Sequence, residues 1–230
     1  MRTCLAIAAG LLLTTQTHAV VINEFVANHT GTDTNEFIEL FGAPTQDFSN
    51  LRVLEIEGDS TSQGVLDRVY TPGVADAFGF FSIPINNQLE NGTVTLLLVE
   101  GFSGTTATDL DTNNDGVLDV TPWTSILDSV AVFDGGSADL TYSPANLTPG
   151  FDGGTFTVGG ASRIPNGVDT DTPGDWVRND FDGYGLPGFT GTPDPGEAAN
   201  TPGTFNSLVP EPATLAALGF GLGALLRRRR

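Results

Sequence analysis

VVINEFVANHTGTDTNEFIELF, residues 20 to 41, places two short β-branched and aromatic runs, VVINEFV (20 to 26) and EFIELF (36 to 41), on either side of the turn-rich NHTGTDTN. Short runs of this kind bounded by turn formers are strand signals. The pattern recurs in LRVLEIE (51 to 57), GVLDRVY (64 to 70), FGFFSI (78 to 83), TVTLLLV (93 to 99), ILDSVAVF (126 to 133), GTFTVG (154 to 159) and DWVRN (175 to 179). With 29 glycines, 14 prolines and 15 phenylalanines, the chain argues against helix before residue 208. Connections of very uneven length suit a two-sheet sandwich better than a barrel of regular hairpins. The expected fold class is therefore all-β.

Phe-Asp-Gly recurs at Phe133, Phe151 and Phe181, too irregularly for a solenoid. Each copy is expected to end a strand in a tight turn, with its Phe anchored in the core. From Gly183 to Asn206 the chain is rich in Gly, Pro, Thr and Asn and reads as a loop-rich close running into a linker.

Both ends read as targeting segments. MRTCLAIAAGLLLTTQTHA has a basic start, an apolar stretch and small residues before Ala19, the order of a secretory signal peptide cut after Ala19. A buried first helix is the weaker alternative. Cys4 lies too near the start for a lipid-attachment cysteine and leaves with the signal, so the mature chain carries no disulfide. About 190 remaining residues suffice for a single domain held by its own core. At the other end the uncharged run Ala213 to Leu226 would cover, as a helix, roughly 21 Å of a hydrocarbon layer roughly 30 Å thick. Domain boundaries are thus expected at 1–19, 20–206 and 207–230.

Without Arg2, Arg227 to Arg230 and Glu211, 4 basic residues face 27 acidic ones, a net charge of −23. Such a surface repels nucleic acid and anionic headgroups and attracts divalent cations. Adaptation to salty water would give the same composition.

Asp111-Thr-Asn113-Asn-Asp115-Gly116-Val117-Leu-Asp119 sets oxygen donors at alternate positions around a turning glycine, the pattern by which several donors converge on calcium at ~2.3–2.6 Å. Asp111, Asn113 and Asp115 would supply side-chain oxygens, Val117 its backbone carbonyl, and Asp119 a direct or water-mediated ligand. Pro122 stands where an EF-hand needs Glu, so this is no EF-hand. Structural calcium in a loop without disulfides is the expected role, and an acidic solvated turn is the competing one. Asp169-Thr-Asp171-Thr-Pro-Gly-Asp175 lacks that spacing and reads as turn chemistry.

Catalytic signals are sparse. The mature chain has no Cys, no Lys and one His, His29, expected as an exposed loop residue. Serine hydrolysis and zinc binding are disfavoured on that ground. A calcium-dependent extracellular hydrolase using paired carboxylates from Glu24, Glu36 and Glu39 is the alternative to a binding module. No phosphate loop or basic groove points to nucleotides or nucleic acid.

Two resemblances follow from these residues. The opening VVINEFVANHTGTDTNEFIELFG, LDSVAVFDGG, ASRIPNGVDTDTPGDW and the closing TPGTFN resemble, in this order, the motifs of lamin-tail domains. That resemblance implies an immunoglobulin-like β-sandwich used for binding or structure, and it transfers no catalytic residue. Val209-Pro210-Glu211-Pro212, the apolar run and Arg227, Arg228, Arg229 and Arg230 resemble a PEP-CTERM sorting signal. It implies export and transient inner-membrane insertion through a short C-terminal transmembrane helix, with the arginines left on the cytoplasmic side. An exosortase then cuts near Pro-Glu-Pro and releases the domain to the cell surface or extracellular matrix of a Gram-negative bacterium. Extracellular polysaccharide or a surface protein is the expected partner.

Overall fold

The computed structural model describes residues 19–210. The expected signal helix and the apolar C-terminal run lie outside the described residues, as do Glu211, Pro212 and the four terminal arginines. Ten strands form: β1 (Val21–Val26), β2 (Phe37–Phe41), β3 (Leu51–Glu57), β4 (Leu66–Tyr70), β5 (Phe80–Pro84), β6 (Val94–Glu100), β7 (Ser125–Val132), β8 (Asn146–Leu147), β9 (Gly160–Arg163) and β10 (Trp176–Arg178). They make two five-stranded sheets, in the orders β10-β9-β1-β2-β5 and β4-β3-β6-β7-β8, antiparallel except where β8 joins β7.

The sheets pack face to face. Ile22, Phe25, Ile38 and Leu40 from the first meet Val53, Leu96, Leu98, Val130 and Val132 from the second in one buried cluster. Each such side chain contributes roughly 1.5–3 kcal/mol of burial. Because strand side chains alternate between faces, Leu54, Ile56, Leu97 and Val99 point the other way. With Leu66 and Leu110 they build a second core on the outer face of β3 and β6, closed by Phe102, Leu118, Trp123 and Tyr142. The connection from β6 to β7 is therefore a cover with its own apolar underside.

Charge also enters the interior. Arg163, at the end of β9, is fully buried and lies 4.5 Å over the Trp176 ring. Its guanidinium meets Asp128 at 2.8 Å, Asp169 at 3.2 Å and Asp175 at 3.4 Å, and donates to the Ile22 carbonyl at 2.8 Å. Removing one partner of such a group would strand a buried charge, which is why the cluster is fully bonded. Asp169 and Asp175 thus do more than make the expected turn.

Three expectations are corrected. GTFTVG forms no strand: Phe156 is 81% exposed, and the carbonyls of Phe156 and Thr157 accept from Arg178. The strand lies one step later at Gly160–Arg163, where a Cβ on Gly160 would stand 2.6 Å from the Phe25 carbonyl, so only glycine permits the approach of β9 to β1. Phe181 is exposed rather than anchored, whereas Phe151 does pack on the core. Residues 183–206 do not run out into a linker: Leu186, Ala198, Asn200 and Asn206 are buried, and backbone pairing goes on through Leu208, which bridges to Ala198, to Val209.

Candidate functional site

Val209, the first residue of the expected sorting motif, is held in the fold. Val209 is 4% exposed; its amide donates to the Glu197 carbonyl at 2.7 Å and its carbonyl accepts from Gly196 at 3.1 Å. Pro210 is exposed and is the last described residue, and Ala19, the expected cleavage residue, is the first and is also exposed.

The segment leading to it is tied down by two glutamates. Glu24 on β1 stands opposite Glu39 on β2, on the outer face of the first sheet, and both are fully buried. Glu24 accepts from the Thr201 amide (2.9 Å) and hydroxyl (3.0 Å) and from Asn179 (3.0 Å). Glu39 accepts from Asn23 (3.0 Å) and from the Gly203 amide. Asn206 donates to the carbonyls of Asn23 (3.1 Å) and Arg163 (3.0 Å). Desolvation outweighs these donors and pushes Glu24 up to about 7; desolvation, then the neighbouring Glu24, pushes Glu39 up to about 8. Glu36 does not join them: it accepts from the amides of Gln88 (2.6 Å) and Leu89 (3.2 Å). Of the three carboxylates considered for hydrolysis, Glu24 and Glu39 are paired and covered by chain, and Glu36 stands apart.

In the acidic loop Asp111 is fully buried, and its carboxylate accepts from Gly116 (2.9 Å), Asp115 (3.2 Å) and the Tyr142 hydroxyl (3.0 Å). Asn113 accepts from the Asp115 amide (3.0 Å), Asp115 from the Val117 amide (3.0 Å), and Asp119 from the amide (3.1 Å) and hydroxyl (2.8 Å) of Thr112. Gly116 takes φ +84°, the turn its residue type anticipates. The side chain of Val117 is 63% exposed. One oxygen each of Asp109, Asp115 and Asp119 accepts no hydrogen bond from the described residues. Among those residues, carboxylates converge in threes elsewhere, at Glu57, Asp67 and Glu90, at Asp59, Asp134 and Asp139, and at Asp180, Asp194 and Glu197.

A cavity of about 360 Å³ opens between residues 29–35 and 182–191. His29 forms one wall; at 8% exposure it is buried rather than exposed, because Nδ1 bonds the Thr30 carbonyl (3.0 Å) while Nε2 faces the Asn35 amide (3.4 Å). The Phe189 ring, held edge-on to Tyr184 at 5.3 Å, and Leu186 supply apolar surface. Asp182 and the hydroxyls of Thr30, Thr32 and Thr190 line the same space and bond no described residue. The sequence marked His29 as a lone histidine and Asp182 as half of a turn pair; nothing in their spacing announced that two distant loops would face each other.

Architecture and composition together define an acidic, all-β, two-sheet protein whose last described residues lead directly into a segment of separate purpose. That segment is recognisable: residues 208–230 match the family described as the PEP-CTERM protein-sorting motif, which implies an exported, exosortase-processed protein sorted through the membrane. Comparison with curated proteins and with solved structures gives no significant match.

Proposed function

We propose that the domain is a surface or extracellular-matrix binding module of the lamin-tail, immunoglobulin-like type, and that it takes extracellular polysaccharide in the cavity between His29 and Phe189. The observation that carries this reading is the cavity's chemistry: an uncommitted carboxylate and several uncommitted hydroxyls beside an aromatic ring. Sugars present the complement, hydroxyls that donate to a carboxylate and C–H faces that lie on a ring. A volume of about 360 Å³ sits at the lower end for small-ligand pockets and suits one or two sugar units of a chain. Binding is preferred over hydrolysis because Glu24 and Glu39 are buried under the 198–209 segment, where substrate has no access.

The lamin-tail reading draws support from how its motif residues meet. Asp128 of LDSV, Arg163 of SRIPNG, Trp176 and Asn206 of TPGTFN all join the network around Arg163. Calcium remains part of the proposal, in the loop of Asp111, Asn113, Asp115, Val117 and Asp119 whose spacing suggests it, as a support for that loop.

The test incubates the released domain with the producing cell's extracellular polysaccharide, with and without calcium. Asp182→Asn and Phe189→Ala should each weaken retention about tenfold or more, the loss of one charge-assisted contact or one stacking face. Retention unchanged in both variants sinks the cavity assignment; no retention by the parent protein removes polysaccharide as partner.

A further inference from the structure

Phe205 and Phe78 are large apolar residues left 60% and 64% exposed, and they touch each other edge-on with ring centroids 6.3 Å apart. Behind them Phe205 meets Phe80 at 5.1 Å, and Phe80 meets Phe41 at 4.9 Å. The rings therefore form a buttressed patch on the outer side of β2 and β5. Leu208, 49% exposed, lies three residues beyond Phe205 on the same terminal segment. An exposed cluster of this kind marks a contact surface.

Its position relative to the membrane is set by chain length. Val209 is fixed to the body of the domain by its two backbone hydrogen bonds. Only Pro210, Glu211 and Pro212 separate it from the uncharged run that begins at Ala213. From Val209 to Ala213 the chain reaches at most about 14 Å, of which the headgroup layer takes up roughly 5–8 Å. Phe205, four residues before Val209, lies within about 14 Å of it by the same measure. While the precursor is held by its apolar run, the domain has no tether on which to stand away from the bilayer.

We propose that the patch of Phe78 and Phe205 rests on the lipid surface until the chain is cut. Aromatic rings prefer that interface, and the domain's net charge of −23 limits the contact to neutral headgroups. The inference rests on the transient membrane anchoring proposed for this tail. It also gives the short sorting segment a second consequence, since cleavage would free an adhesive face together with the domain.

The chain from Val20 onward contains no cysteine, so single cysteines can be placed and labelled. The full chain from Val20 to Arg230, carrying Phe78→Cys or Phe205→Cys, is reconstituted into phosphatidylcholine vesicles that contain a lipid-borne quencher. Val117→Cys, on the loop over the opposite sheet, is the reference. Fluorescence at the two patch positions should be quenched about threefold or more strongly than at Val117. Equal quenching in chains that float with the vesicles overturns the contact while leaving anchoring intact. A chain that does not float overturns anchoring, and the contact with it. Labels shielded from aqueous quencher yet blind to the lipid quencher place a second copy on the patch and overturn the lipid assignment.

Discussion

Over the outer face of β3 and β6, the 101–124 connection is held by an apolar seam in which its Leu110 meets Leu54, Ile56, Leu97 and Val99, with buried Asp111 bonded to Tyr142 beside it. Over the outer face of β1 and β2, the 198–209 segment is held by Glu24 and Glu39, buried carboxyls that accept hydrogen bonds from the strap they retain. Both covers dock on a sheet of the same sandwich. The first depends chiefly on area removed from water; the second depends on groups whose protonation decides what burial costs. The strap leading into the sorting segment is thus the one held by carboxyls that burial pushes up, while the metal-loop candidate sits on the one held by an apolar seam.

The largest effect that separates the two covers should come from Leu110→Ala. Leu110 is fully buried, and emptying its site should lower stability by about 3–5 kcal/mol at every pH. Thermal melts at pH 5 and pH 8.5 should fall together. A loss confined to one pH would mean that the apolar seam is not what holds this loop.

The second effect is the pH dependence itself. Glu24 and Glu39 titrate near 4.5 when unfolded and at about 7 and about 8 when folded, so the native state binds more protons between those limits. Stability from these groups is complete below pH 4.5 and is lost as pH rises through 7 and 8. Glu55, also pushed up to about 7 by burial, acts in the same direction. If the native state keeps about one extra proton across two pH units, the loss is about 2–3 kcal/mol. Melting temperature should therefore fall from pH 5 to pH 8.5 in the parent protein. Glu39→Gln should be somewhat less stable at pH 5, since one amide oxygen cannot serve both Asn23 and Gly203, and should show a shallower fall. An unchanged slope in Glu39→Gln would shift the pH dependence away from the strap.

The two covers also differ in how much of them could be read beforehand. Strand β3 was legible to the residue because LRVLEIE is long, β-branched and bounded by turns, and β1, β2, β4, β6 and β7 were legible within two residues at each end. Two-residue β8 is too short to leave a pattern, and β9 was displaced because GASR lacks the bulk of neighbouring GTFTVG while its small residues are what close approach to β1 demands. The acidic loop was visible from spacing, yet its buried side was not, since Leu110 and Leu118 look like ordinary loop residues until a sheet lies beneath them. Of the strap, the loop character and the closing TPGTFN were legible, but not what holds it. Its sequence is polar, glycine-rich and turn-like, and its partners are glutamates far away in sequence, so no local pattern shows that Thr201 and Gly203 bond Glu24 and Glu39. Of the candidate cavity, only His29 stood out, and the free carboxylate of Asp182 depends wholly on the folded meeting of two loops.

The smallest effect concerns calcium, and it bears on the apolar cover alone. Extracellular calcium modules of comparable design bind with a Kd of roughly 10⁻⁴–10⁻³ M, so 1 mM calcium would stabilise the fold by about 0.4–1.4 kcal/mol. For a domain of this size that is a rise of about 1–5 °C in melting temperature over an EDTA control at equal ionic strength. Asp119→Asn should abolish the rise, while Glu39→Gln should leave it in place, because Glu39 binds the strap over the other sheet and shares no hydrogen bond with the loop. Asp111→Asn is the less useful variant: that carboxylate already holds Gly116, Asp115 and Tyr142, so its loss would loosen the loop with or without metal. A parent protein that melts at the same temperature in calcium and in EDTA would assign the Asp111 to Asp119 spacing to turn formation alone, with the apolar seam as the loop's entire support.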